Sequence, residues 1–354
     1  MKGPMDMIFG KSRWWLMLPL AISSCESSGG LLAEQEYAEK INADNNPNAI
    51  LSYGEYLNGY LDQLPSSGSV SGYWYSPGYF PFVAEGTAAR PAGEQLSPIE
   101  KYDWAFNSGM PATQWEKKFH GTNGGSANPQ GWEGHCNGVA AAITVAPEPK
   151  RTISYNNQTF TPFDIKALLA ESLYHAESGF VGVRCDADSS ANDGYGRPVN
   201  DACRDMNPGS LHVVLANMLG LQQQMVIMDM SRGFMVWNYP VAGFRVMENR
   251  SVDARQANLL VSNNSLGSSH YGFNPEARGF AFVKTEVTYV GSSANKTNFE
   301  YVLEMNDGGK IIGGEWVATS KENHPDFLWK VEDPRSANPH VDFYKVRKLV
   351  RMAM

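Results

Sequence analysis

The chain has 354 residues, 42% of them hydrophobic and 12% aromatic, and a formal charge of −8 at pH 7. That is enough apolar material for a sizeable core in one large domain or two small ones. The acidic balance excludes the basic footprint that nucleic acid requires, so no nucleic-acid partner is expected.

Lys2, Lys11 and Arg13 precede the apolar run WWLMLPLAI, and ISSC follows it. A basic start, an apolar run far shorter than the ~20 residues of a membrane span, and small residues before a cut read as a secretory signal. Ile22, Ser23 and Ser24 before Cys25 resemble a bacterial lipobox. The resemblance implies cleavage before Cys25 and lipid on its sulfur. The expected organisation is a signal peptide over 1–24, a Ser-, Gly-, Asn- and Glu-rich tether over 25–47, and one folded domain over 48–354. The protein is therefore expected outside the cytoplasm, lipid-anchored to a bacterial membrane or cell surface.

Apolar residues at 50, 53, 57, 60, 61 and 64 fall on one helical face that ends before PSSGSVSG. Residues 65–93 are rich in Gly, Pro and Tyr and read as loop. In SPIEKYDWAFN, Ser97 and Pro98 supply an N-cap and a first helical position. GHCNGVAAAITV predicts a packed helix beginning at or near Cys136 and stopped by Pro147. Thr161, Pro162 and Asp164 open a further helix in TPFDIKALLAESLYHA. The segment NPGSLHVVLANMLG fits a strand with His212 near its start, or a helix begun by Asn207 and Pro208. Beyond it MVIMDMS, FMVWNYPVAGFRVM, GFAFVKTEVTYV and FEYVLEMNDGGKIIGGEW are strand-like, and NDGG is a hairpin turn. Helices first and an antiparallel sheet after them predict an α+β fold, its helical N-terminal part packed on the sheet.

The cysteines carry the chemistry. Outside the cytoplasm thiols pair, and Cys185 and Cys203 bracket a polar loop that a disulfide would hold, which leaves Cys136 odd. A thiol at a helix N-terminus meets unpaired N–H groups and the positive dipole end, which favour its thiolate; the alternative is a buried space-filling cysteine. Gly134 and Gly138 would let another backbone, such as a substrate strand, come close. A nucleophilic thiol needs a base and a group to orient that base. Of the seven histidines, His135 adjoins Cys136 and points elsewhere. His120 lies in a Gly/Asn loop, and His175 sits at a helix end as a cap or facing solvent. His270, His324 and His340 fall in polar or Pro-flanked loops. His212 is the candidate base and Asp229, a carboxylate among Val, Ile and Met, its candidate orienter; a structural histidine is the alternative. The backbone N–H of Cys136 is the candidate oxyanion donor, joined by Gln130 if that side chain is not simply on the surface. The loop 73–81 and Trp132 either shield the site from water or pack as core and surface. No zinc-type Cys/His spacing, P-loop or internal repeat is present. DADSSAND lacks the glycine and final glutamate of a calcium loop and reads as a polar loop.

Residues 236–248, VWNYPVAGFRVME, closely resemble the thirteen-residue elicitor segment of the transglutaminase elicitor family, known from oomycetes and bacteria. Trp237, Asn238, Pro240, Val241, Gly243, Phe244, Val246 and Glu248 match, whereas Tyr239, Ala242, Arg245 and Met247 depart. GWEGHCNGVAAA, NPGSLHVVLANMLG and GGEWVATSKENHPDFLW look like further blocks of that family in the same order, over roughly 95–345. The resemblance implies a papain-like cysteine-protease-type core and a calcium-stimulated protein-glutamine γ-glutamyltransferase with a Cys136–His212–Asp229 triad. Its partners would be glutamine- and lysine-bearing proteins or small amines. A papain-like peptidase or amidase is the alternative within the same chemistry; a non-catalytic surface recognition protein using the Trp237 segment is the alternative outside it.

Overall fold

In the computed structural model, residues 57–122, 129–182, 184–185, 191–192, 198–230, 232–262 and 271–354 are described. The signal, the tether, Cys25, His270 and most of DADSSAND lie outside them. All described residues belong to the compact unit Ala38–Met354.

The elements run β1 (Ser67–Ser69), α1 (Pro98–Phe106), α2 (Pro111–Phe119), α3 (Cys136–Val145), β2 (Ile153–Tyr155), β3 (Gln158–Phe160), α4 (Pro162–Ser172), β4 (Glu177–Gly182) and α5 (Pro208–Leu215). Then follow β5 (Val226–Asp229), β6 (Asn238–Val252), α6 (Ala254–Val261), β7 (Gly279–Val290), β8 (Ala294–Met305), β9 (Ile311–Trp316), β10 (Phe327–Asp333) and α7 (Phe343–Ala353). Both predicted caps form. Ser97 with Glu100, and Thr161 with Asp164, close reciprocal capping boxes behind Pro98 and Pro162. The buried Asp103 carboxylate of α1 accepts the N–H groups of Ala112 and Thr113, capping α2 from a neighbouring helix. NDGG joins β8 to β9 as predicted.

The sheet order is β4-β10-β5-β6-β7-β8-β9, antiparallel throughout, with β1 added on β6. Two layers cover it. On one face α1, α3, α4 and α7 share a core with Ile227, Phe327 and Trp329; on the other, α5 shares one with Val226, Met228 and Leu328. Consecutive residues of β5 and β10 thus feed opposite cores, as the period-two pleat demands.

Two expectations change, and one open choice is decided. The helical face drawn from position 50 gives, among the described residues, only a single 3-10 turn at Leu61–Gln63. The order is not helices before strands: β4 precedes α5, while α6 and α7 follow β6 and β10. The segment at 207–220 is a helix, capped by Asn207, whose side chain accepts from Gly209 N; its continuous apolar character arises because a buried helix needs no polar face.

Gly138 is where α3 and α4 meet. A Cβ there would stand 2.0 Å from Ala170 O and 2.8 Å from Ala170 C, both backbone atoms that cannot move aside. Gly138→Ala is therefore expected to destabilise the protein by about 3 kcal/mol, despite alanine's better helix propensity, as read from urea unfolding.

Candidate active site

Cys136 is the first residue of α3, which packs against α4, β5, β6 and β10. Its N-cap residue, His135, donates its backbone N–H to Tyr79 O at 2.7 Å. The thiol is free and half-buried, with Sγ 3.7 Å from Val236 O. Burial pushes its pKa up; hydrogen bonds from Asn238 pull it down, and the negative charge of Asp229 pushes it up again. A carboxylate, rather than an imidazolium, is the charged group acting on this sulfur.

Asp229 ends β5 and pairs directly with Asn238 at the start of β6. It has the parity of Ile227, so it emerges on the α3 face. The Trp237 N–H holds its Oδ1 at 2.8 Å. Asn238 is fixed by Trp329, whose indole N–H, a donor only, reaches Oδ1 at 2.7 Å. That bond orients the NH2 half of the amide toward the thiol. Asn238 is thus a site residue that the chain's chemistry alone did not single out. Its signal was the pairing of MVIMD with WNYP, which sets it opposite Asp229.

The structure brings Asp229 to Cys136 but not His212. His212 lies on α5, in the layer behind the sheet, with Nδ1 2.9 Å from Tyr301 OH, which in turn meets Thr285 Oγ1 at 2.7 Å. Thr285 pairs with Val246, eight residues along β6 from Asn238, or roughly 26 Å of strand. The sheet separates the two groups because Val226 and Met228, not Asp229, face α5. Burial alone lowers the His212 pKa to about 4. The unfolded chain therefore takes up a proton near the ordinary value of 6.5 that the folded chain refuses until about 4. Stability falls as pH drops through that window, by about 2 kcal/mol between pH 7 and pH 5 from this group. A His212→Gln variant should lose that part of the acid sensitivity in urea titrations at the two pH values.

The other candidates are placed as follows. Gln130 is exposed, and its Oε1 accepts from the Trp132 indole at 3.0 Å, so it is held away as a surface pair. The backbones that approach the two glycines belong to this chain and not to a substrate: Ala170 at Gly138 and Tyr79 at Gly134. The loop at 73–81 divides. Trp74 is buried core, whereas Tyr79 packs edge-on to Trp237 at 5.7 Å and Trp132 to Phe234 at 5.9 Å. His175 is exposed at the end of its helix, and His324 is buried against Asp205. His120, read as a loop residue, caps α2 and is buried beside Glu116, and His135 points away from Cys136 into that same cluster. Within the Trp237 segment residues 240–244 are buried in β6, whereas Arg245, Met247 and Glu248 are exposed, so its C-terminal end reaches the surface. The predicted disulfide Cys185–Cys203 is present.

A second acidic group stands near Asp229. Asp205 and Asp326 are buried neighbours, and Asp205 Oδ1 and both Asp326 carboxylate oxygens lack a well-formed hydrogen bond. Burial and the charges of Asp205 and Asp229 lift the Asp326 pKa to about 9. Two carboxylates, one of them already bonded to His324, fall short of the roughly six to eight oxygens that calcium takes, so these residues alone do not fit that ion.

The profile of the transglutaminase elicitor family matches residues 112–350. Among solved structures, the GP42 transglutaminase from Phytophthora sojae superposes with a TM-score of 0.71 at 23% identity, covering 87% of this chain and 97% of that one. At that identity the likeness is one of fold. No curated protein matches the chain.

Proposed function

Since the chain belongs to the transglutaminase elicitor family, we propose that it is a protein-glutamine γ-glutamyltransferase in which Cys136 carries the acyl group on a papain-like core. The observation that carries this reading is the free, half-buried thiol at the start of α3, facing Asp229 and Asn238. In the first half-reaction Asp229 takes the Sγ proton as sulfur attacks the γ-carboxamide carbon of a glutamine. The backbone N–H of Cys136 faces the developing oxyanion. The proton passes to the leaving nitrogen, the C–N bond breaks, and ammonia departs from a γ-glutamyl thioester. A lysine amine then attacks the thioester carbon and gives its proton to Asp229. The C–S bond breaks, and the proton returns to sulfur beside the new isopeptide.

The disulfide fits an extracytoplasmic protein, and no helix among the described residues is long and apolar enough to cross a membrane. Lipid on Cys25 would be the anchor, and a mature N-terminus at any other residue excludes it.

The test is incubation with a glutamine-containing peptide and a labelled primary amine. Amine incorporation with ammonia release is expected. Ammonia release without incorporation identifies a glutaminase, and cleavage of the peptide chain instead would overturn the transfer reading in favour of a peptidase.

A further inference from the structure

The transfer chemistry leaves one buried polar cluster without a task. Glu116 and His120 come from the last turn and C-cap of α2, His135 from the N-cap of α3, and Glu171 from the last turn of α4. All four are buried, and one imidazole nitrogen or carboxylate oxygen from each lies within 4.8 Å of the other three. From this convergence we propose that the protein binds one structural divalent transition-metal ion of the zinc class through Glu116, His120, His135 and Glu171.

The donor set selects the metal. Two imidazoles with two carboxylates suit zinc, whereas calcium favours oxygen alone. Bonds of about 2.1 Å in a tetrahedron space the donors about 3.4 Å apart. His135 Nε2 already stands 2.8 Å from Glu116 Oε1 and 3.3 Å from Glu171 Oε2. Charge argues the same way. Among the described residues neither carboxylate is paired with a lysine or arginine, and a dication would neutralise both. Glu171 Oε1 is buried without a well-formed hydrogen bond, with the Asn338 amide near the carboxyl.

The surroundings are shaped for such an ion. Thr87 donates its N–H to Glu116 Oε1 at 3.1 Å and its hydroxyl to Glu171 Oε2 at 2.9 Å, the outer bonds that orient ligating carboxylates. Gly86 has φ +55°, and a Cβ there would lie 2.2 Å from Glu116 Oε1 and 3.3 Å from His135 Nε2. The backbone thus leaves room at the donor atoms that no other residue would leave. Phe82 stacks on His120 at 4.4 Å, and Tyr174 closes on both imidazoles at 4.8 Å. Four protein donors inside an aromatic wall make a closed site, structural rather than catalytic. It would pin three helices together one residue before Cys136, and so fix the start of α3.

The full chain supplied with zinc should retain one ion per chain by elemental mass spectrometry. Cobalt(II) in its place should give the intense visible bands of tetrahedral coordination. Glu171→Gln and His120→Asn should each weaken zinc binding by about 100-fold or more with unchanged far-UV circular dichroism. Asp326→Asn, in the separate acidic group, should leave zinc binding as it was. A folded wild-type chain that takes up neither metal overturns the assignment, and so does a cobalt spectrum that persists undiminished in both ligand variants. The wild-type spectrum decides the matter even if a variant fails to fold. Because metal content, not amine transfer, is read, failure here is distinct from failure of the Cys136 reading.

Discussion

Cys136→Ala is expected to bring glutamine–amine transfer down by about 10⁴-fold or more, because it deletes the only atom that can form the thioester. Cys136→Ser should fail almost as badly: a hydroxyl is far less acidic than a thiol, and a carboxylate base gives it little help. The fold should survive both changes. The sulfur is half-buried, and its contacts to Val236 O and Asn238 are those of a weakly hydrogen-bonding thiol, so the stability cost should stay near or below about 1 kcal/mol. Transfer is followed by amine incorporation and folding by circular dichroism. A Cys136→Ala chain that still joins amines to glutamine at the wild-type rate would place the nucleophile elsewhere.

Asp229→Asn has the second-largest expected effect, and it separates two roles. Removing the base should slow transfer by about 10²–10⁴-fold. Removing the negative charge should at the same time lower the Cys136 pKa, since Asp229 raises it. The variant should therefore react faster with iodoacetamide at neutral pH while transferring more slowly, a divergence that simple misfolding cannot produce. His212→Gln should show neither change at pH 7, since the sheet lies between His212 and the thiol. Loss of transfer in His212→Gln with the Asp229→Asn chain fully active would reverse the assignment of the base.

Local chemistry was legible where a few neighbouring residues decide it. Ser97-Pro98 and Thr161-Pro162 announce helix starts because a cap and a fixed φ act within one turn. Cys136 at the head of α3 follows from the small apolar run and Pro147. The long strands β6, β7 and β8 follow from their β-branched and aromatic runs, and the disulfide from the count of cysteines in an oxidising compartment. What the chain order could not show was the side of the sheet on which each element lands. His212 and Asp229 are both buried polar residues in apolar segments seventeen positions apart, and periodicity treats them alike. Only the pleat of β5, with Ile227 and Asp229 toward α3 and Val226 and Met228 toward α5, puts one beside the thiol and the other behind a layer of hydrogen-bonded backbone. Likewise Glu116, His120, His135 and Glu171 carry no common spacing, because they come from three helices whose close approach at Gly138 and Gly86 is a matter of packing. The sequence by itself determined the free thiol at the head of α3, the caps and the disulfide, all set by short-range stereochemistry and charge. Which carboxylate stands beside that thiol, the orientation of Asn238 and the buried histidine–glutamate cluster were decided by tertiary structure, since each depends on which faces of distant elements are buried together.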